Sequence, residues 1–231
     1  MTATSWLPPL FADLPAGLAE SFLPHRPWQL LGEPLAELLA ALPSERIETA
    51  LQPEAHLSGD RVVIGKGTRI APGATLEGPV FIGENVDIRC GAYVRGGAWI
   101  GDGCTVGANT EVKRSILLPT AKAPHLNYVG DSILGRDVNL GAGTVLSNFR
   151  HDGGQIRIAR AGGEPFETGR RKLGAILGDE VKTGCNSVLH PGVIVGRGTE
   201  IYPLVQLRSG AYPADSIVKL LQEINVVTKR R

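Results

Sequence analysis

Residues 64–118 read IGKGTRIAPGATLEGPVFIGENVDIRCGAYVRGGAWIGDGCTVGANTEVKRSILL. An aliphatic residue returns at every sixth position: Ile64, Ile70, Leu76, Ile82, Ile88, Val94, Ile100, Val106, Val112 and Leu118. A helix repeats at 3.6 residues and a strand at 2, so a period of six requires a short strand plus a tight corner, stacked coil upon coil. The intervening residues agree. Four positions after each aliphatic stands a mostly small residue (Thr68, Ala74, Val80, Val86, Ala92, Ala98, Cys104, Thr110), as a narrow prism interior requires. Three positions after it stands Gly67, Gly73, Asn85, Gly91, Gly97, Gly103 or Asn109, residues that tolerate the positive φ of a corner; only Pro79 and Ser115 depart.

The ladder breaks at 119–127, where His125 sits, and resumes at Tyr128 with Leu134, Leu140 and Leu146. It breaks again between Leu146 and Leu177, then continues through Thr183, Leu189, Val195, Ile201 and Leu207. About twenty hexads at three per coil predict about six to seven coils. Interruptions in a rigid wall are where function is expected.

Composition fits one such domain. The chain has 231 residues, 30 of them Gly, with 5% aromatic residues and a formal charge of +1. Near-neutral charge leaves no nucleic-acid footprint. Cys90, Cys104 and Cys185 are an odd set with two in hexad positions, which argues against a disulfide framework and for a cytoplasmic protein. No apolar run reaches membrane-spanning length, and the start lacks a basic region and a cleavage pattern.

Three parts are expected. Residues 1–50 form a Pro/Leu-rich segment with a helical stripe, Leu35, Leu38, Leu39 and Leu42, ending near Pro43. Residues 51–213 form the β-helix with loops at 119–127 and 149–173. Residues 214–231 carry Ile217, Leu220, Leu221 and Ile224 at helical spacing, then a basic tail. The alternation in 155–169 predicts a β-hairpin arm thrown out from the prism, long enough to reach a neighbouring subunit.

Two features carry chemistry. Arg95 and Lys113 follow inward aliphatics three hexads apart, so three hexads per coil place them on adjacent strands about 4.8 Å apart. Two cations held side by side call for a phosphate or carboxylate between them; snorkelling to opposite sides is the alternative. His125 stands outside the hexad slots, and histidine is a residue type suited to a general base. The five histidines, His25, His56, His125, His151 and His190, contain no close pair of the kind a zinc-dependent β-helix enzyme would use.

The stretch from Val94 to Gly153 resembles the acetyltransferase domain of the bifunctional glucosamine-1-phosphate N-acetyltransferase/N-acetylglucosamine-1-phosphate uridyltransferases, a hexapeptide-repeat family. The matching runs are VRGG, EVKR, KAPHLNYVGD, VNLGAGT and SN, and the later SNFRHDGG and TGRRKLGAILGDEVKTGCN resemble its archaeal-type branch. The resemblance covers roughly Ile64 to Leu207. It implies an all-β, left-handed parallel β-helix; the hand rests on the resemblance, since parallel crossovers generally favour the right.

It further implies acetyl transfer from acetyl-CoA to the 2-amino group of an amino-sugar 1-phosphate, glucosamine 1-phosphate first, in nucleotide-sugar or cell-envelope precursor synthesis, with no metal needed. His125 would be the base, and Asn148 would orient the amine. Arg95, Lys113, Tyr128, Asn139 and Lys172 would hold the sugar phosphate, while Cys185 and Lys219 would lie toward the coenzyme. A homotrimer with shared active sites is implied. Departures stand at Phe149, where bacterial relatives have Tyr, and at Gly154, where archaeal-type relatives commonly have Lys.

The relatives' N-terminal nucleotidyltransferase domain, with its Gly-rich loop, has no counterpart in the stretch ahead of Leu51. A separate nucleotidyltransferase is therefore the expected partner. Two other readings stay open: a non-catalytic binding or regulatory β-helix trimer, and acetyl transfer to another amino sugar or sugar nucleotide.

Overall fold

The computed structural model describes residues 7–23, 26–160, 162–223 and 227. Three parallel sheets close a triangular prism, and the chain passes from the first sheet to the second, to the third, and back. The first sheet has nine strands, from Glu45–Ile47 to Gly210–Tyr212; the second has eight, from Arg69–Ile70 to Ile217–Val218; the third has eight, from His56–Ser58 to Gln206–Leu207. The coils outnumber the six to seven expected because residues 45–64 and 208–218, outside the clear hexads, also wind. Ile64, Ile70, Leu76 and their successors fill the interior, fully buried.

The first interruption is a change of frame. Val94 pairs with Val112, a full three hexads later, but Trp99 pairs with Ile116, one position short of that interval. The step from Val112 to the next inward residue is therefore five, which places Leu117 in the prism core and turns Leu118 outward into a second apolar cluster. Ala123 and Val129 continue the ladder in the shifted frame, and a second five-residue step leads from Val129 to Leu134. So 119–127 is not a loop: Lys122–His125 is a strand paired with Thr105–Ala108 and, at Lys122, with Asn139. Both short steps turn at a non-glycine residue in the left-handed region, Arg114 (φ 44°) and Asp131 (φ 48°), a conformation retained where surroundings enforce it.

The second interruption is a true insertion, since Leu134 pairs with Leu177. It contains the antiparallel hairpin Arg157–Arg160 and Gly163–Glu167. The hairpin is not thrown outward. Ile156 and Ile158 are buried with Trp28, Leu30, Ile176 and Ile194, and Trp28 meets Phe166 edge-on at 5.1 Å. Its apolar alternation gives it a face to bury, and the first sheet's outer side, covered by Leu7, Leu10, Leu18 and the Trp28–Leu39 stretch, is an adjoining apolar surface.

The N-terminal segment holds helices Ala16–Ala19 and Glu33–Ala40 and a 3-10 turn, Pro27–Leu31. At the other end the expected helix is absent among the described residues. Ile217–Val218 instead pairs with Glu200–Ile201, because Val218 falls one position short of three hexads after Ile201 and continues the ladder. Ile224 and the basic tail 229–231 lie outside the described residues. No described helix is long and apolar enough to cross a membrane.

Close stacking gives the fold a point of high sensitivity beneath His125. A Cβ on Gly107 would stand 1.5 Å from the Pro124 carbonyl oxygen of the next coil. Gly107→Ala is therefore expected to cost about 3 kcal/mol or more, because backbone, not a rotatable side chain, must yield. A melting temperature unchanged from wild type would contradict this.

Candidate functional site

The third sheet is bounded by two corners, and the candidate residues divide between them. At its corner with the first sheet, Arg95 and Lys113 end the strands Tyr93–Arg95 and Glu111–Lys113 in direct register, with Gly130 next in the column. The stacked cation pair read from spacing is thus present. Arg95 Nη1 donates to Glu111 Oε1 at 2.9 Å, and its guanidinium lies 5.8 Å from the Tyr93 ring centre. Burial, then neighbouring Arg114 and Lys172, hold the Lys113 ammonium below the ordinary lysine range, with Asp131 opposing.

Gly130 leaves room in that column for a hydrogen-bonded cluster. Asn148 Nδ2 donates to the Tyr128 hydroxyl oxygen at 3.2 Å and to Asp131 Oδ2 at 2.6 Å. Arg114 Nε lies 3.0 Å from Asp131 Oδ1, whose side chain is only 2% exposed. Both amide hydrogens of Asn148 are thereby used, and its carbonyl oxygen stays available as an acceptor. Burial raises Tyr128 above the ordinary tyrosine range. Its oxygen accepts from Asn148, so its own proton is free to be donated outward.

Lys172 joins this corner. It forms an antiparallel bridge with Phe149, and its carbonyl accepts from Arg170 Nε at 3.3 Å. A cleft of about 620 Å³ opens beside it, lined by Leu31, Arg114, Asp131, Phe149, Arg170, Arg171 and Lys172.

The other corner, between second and third sheets, carries His125. Ala108, His125, Ala142 and Cys185 stack there, as Leu126 N–H donates to the Ala108 carbonyl, Gly143 N–H to His125, Asn186 N–H to Ala142 and Leu204 N–H to Cys185. His125 is exposed, and its backbone N–H donates to Asn127 Oδ1 at 3.1 Å. Leu126, next to it, is 60% exposed with φ 53° in a column otherwise rich in Gly and Asn. Cys185 is exposed and free, two coils from His125, or about 10 Å at strand spacing. Lys219 lies farther along, its Nζ 5.1 Å from the Tyr202 ring centre.

Tyr128 bridges the two corners, three residues from His125 and in register with Glu111. The structure does not bring Asn139 to this group: it sits on the second sheet between Lys122 and Lys182. His151 and His190 line a separate cleft of about 520 Å³ on the other side of Phe149. Glu111, Arg114 and Asp131 were not singled out from sequence, whereas Arg170 and Arg171, with Arg157 and Lys172, were the cations expected to replace the lysine absent at Gly154. The signal that could have found Arg114 and Asp131 is the pair of five-residue steps, each turning at one of them. No group of three or more His, Cys, Asp or Glu able to hold a metal occurs among the described residues.

Residues 76–196 match the family described as the GMPPB C-terminal domain. A bifunctional sugar-1-phosphate nucleotidylyltransferase/acetyltransferase from Sulfurisphaera tokodaii is 46% identical over 98 residues, 42% of this chain and 24% of the relative. A bifunctional protein GlmU from Methanococcus aeolicus is 32% identical over 170 residues, 74% of this chain and 41% of the relative. The chain thus spans between a quarter and about two-fifths of the length of these relatives. A solved UDP-N-acetylglucosamine acyltransferase from Campylobacter jejuni overlays at TM-score 0.31 and 16% identity, covering 71% of this chain and 69% of that chain.

Proposed function

The chain belongs to the family of the GMPPB C-terminal domain, and from that premise we propose that it transfers acetyl from acetyl-CoA to the 2-amino group of an amino sugar carrying a 1-phosphate, glucosamine 1-phosphate first. The observation that carries this is the third sheet itself. The stacked cations Arg95 and Lys113 and a histidine at the opposite corner flank Tyr128 and Asn148 on one narrow face. The strand Tyr128–Gly130 spans about 7 Å. A sugar whose phosphate and amine sit on neighbouring carbons fits between a lysine reaching from one edge and an imidazole from the other. The likeness to a relative named as a bifunctional sugar-1-phosphate nucleotidylyltransferase/acetyltransferase supports acetyl transfer.

In this reading His125 takes a proton from the amine as its nitrogen attacks the thioester carbonyl. The new N–C bond forms, the C–S bond breaks, and the proton passes from His125 to the departing thiolate. A protonated amine is no nucleophile, so base and donor must be held together. Asn148 Oδ1 accepts from the amine, and the Tyr128 hydroxyl donates to a sugar or phosphate oxygen. The backbone N–H groups of Ala142 and Cys185 have no hydrogen-bond partner among the described residues and stand beyond His125 in its column. They suit the oxyanion and coenzyme side of the reaction. Described residues between 7 and 42 cover the outer side of the first sheet, which leaves the second and third sheets for contacts in a homotrimer.

The test is phosphate dependence. Thiol release from acetyl-CoA should be at least 100-fold faster, as kcat/KM, with glucosamine 1-phosphate than with glucosamine, since two charge-assisted contacts contribute about 1.5–3 kcal/mol each. Equal rates would remove the anion site from the reaction.

Lys113 adds a pH signature. Its cationic form binds phosphate, and neighbouring cations and burial depress its pKa. Affinity for the sugar phosphate is therefore present on the acid side and is lost as pH rises through a value below the ordinary lysine range. KM for the sugar phosphate should climb at alkaline pH in wild type and stay flat over that window in Lys113→Arg. The same climb in both proteins would assign it to another group.

A further inference from the structure

Arg170, Arg171 and Lys172 follow one another along a wall of the 620 Å³ cleft. Their anchoring bonds go to neutral oxygens. Arg170 Nη2 donates to the Leu31 carbonyl at 3.2 Å and Nε to the Lys172 carbonyl at 3.3 Å, while Arg171 Nε donates to the Gly153 carbonyl at 3.1 Å. The one carboxylate lining the cleft, Asp131, is already shared by Arg114 and Asn148. Three cations, two of them fixed by carbonyls and none in a salt bridge among the described residues, repel one another unless an anion enters. A sugar 1-phosphate seated at Arg95 and Lys113, with Lys172 beside it, leaves Arg170 and Arg171 unanswered.

The second observation is apolar. Phe149 is 44% exposed and stands at the junction of this cleft and the 520 Å³ cleft beyond it. Arg171 Nη2 and Phe149 Cζ both lie within 4 Å of the position a Cβ on Gly153 would take, so cation and ring flank one point of the insertion. An aromatic face beside phosphate-binding cations is a stacking platform for a nucleobase. Both volumes lie in the range of small-molecule sites.

We propose that this cleft binds a nucleoside diphosphate, its phosphates running from Lys172, beside Lys113, to Arg170 and Arg171 and its base on Phe149. This rests on the reading of Lys113 as the anchor of the acceptor's 1-phosphate, because Lys172 and Arg114 continue from Lys113 into the cleft. The chemistry has two sources: a nucleotide linked to the acceptor sugar, or the adenosine diphosphate half of the coenzyme. The acceptor is favoured, since Cys185 and Lys219 lie along the other corner of the third sheet. The acceptor range then extends from the sugar 1-phosphate to its nucleotide-linked form.

Calorimetric titration of the whole chain with UDP, ADP, inorganic phosphate and acetyl-CoA tests this on wild type, Phe149→Ala and Arg171→Ala. Both positions are at the surface, and unchanged melting temperatures verify folding. UDP is expected to bind at least tenfold tighter than inorganic phosphate and to weaken about tenfold in each variant, with phosphate binding unchanged in Phe149→Ala. Loss of ADP and acetyl-CoA binding in the same variants would keep the nucleoside diphosphate and give it to the coenzyme. UDP binding no tighter than phosphate, or indifferent to both substitutions, overturns the proposal. No acetyl transfer is measured, so failure of the acetyltransferase reading would leave these titrations standing.

Discussion

His125→Ala is expected to lower kcat for acetyl transfer about 10²–10⁴-fold, the usual contribution of a positioned general base, with KM for the sugar phosphate changed no more than about twofold. The separation follows from geometry. His125 occupies the corner between second and third sheets, whereas the proposed phosphate anchors Arg95 and Lys113 end strands at the opposite edge of the third sheet. The side chain is exposed, and only its backbone is used in holding the coil, through Asn127 and Gly143. Melting temperature should therefore stay at the wild-type value. A variant that keeps wild-type kcat would remove His125 from the chemistry, and one that loses KM alone would move it into binding.

Gly130→Ala is expected to cost about 10²-fold in kcat/KM while leaving the fold intact. A Cβ there would stand 2.6 Å from both Asn148 Nδ2 and the Tyr128 hydroxyl. Those atoms end side chains, so the prism need not shift, yet Asn148 is also held by Asp131 at 2.6 Å and cannot swing freely. Either Asn148 leaves Asp131 or Tyr128 leaves Asn148, and a displacement of about 1 Å in a positioning group is worth about that factor. The Tyr128→Phe and Asn148→Ala proteins serve as references: Gly130→Ala should lose no further activity when combined with the one it displaces. Full activity in Gly130→Ala would show that the cluster does not position substrate.

The prism was legible because its repeat is strict. From Ile64 to Val112 each inward aliphatic, small filler and corner Gly or Asn falls where the structure places it, and Arg95 beside Lys113 follows from the same count. The misreading of 119–127 comes from two short corners. Two corners close with five residues instead of six, turning at Arg114 and Asp131, and neither is the Gly or Asn that marks the regular corners. The slip made Lys122–His125 look like a loop and hid Arg114 and Asp131, which meet at those short corners. Spacing alone also could not fold the hairpin back, because its partner surface is assembled from Trp28, Leu30 and the first sheet. At the C-terminal end, helical spacing in Ile217, Leu220 and Leu221 competed with the ladder, and pairing of Ile217–Val218 with the coil below won.

The most direct measurement is the identity of the product. Purified protein incubated with acetyl-CoA and glucosamine 1-phosphate, followed by proton NMR, should give the 2-acetamido sugar with its 1-phosphate retained and one free thiol per acetyl transferred. A sugar phosphate recovered unchanged, with acetyl-CoA intact and the protein folded, would contradict acetyl transfer to this acceptor.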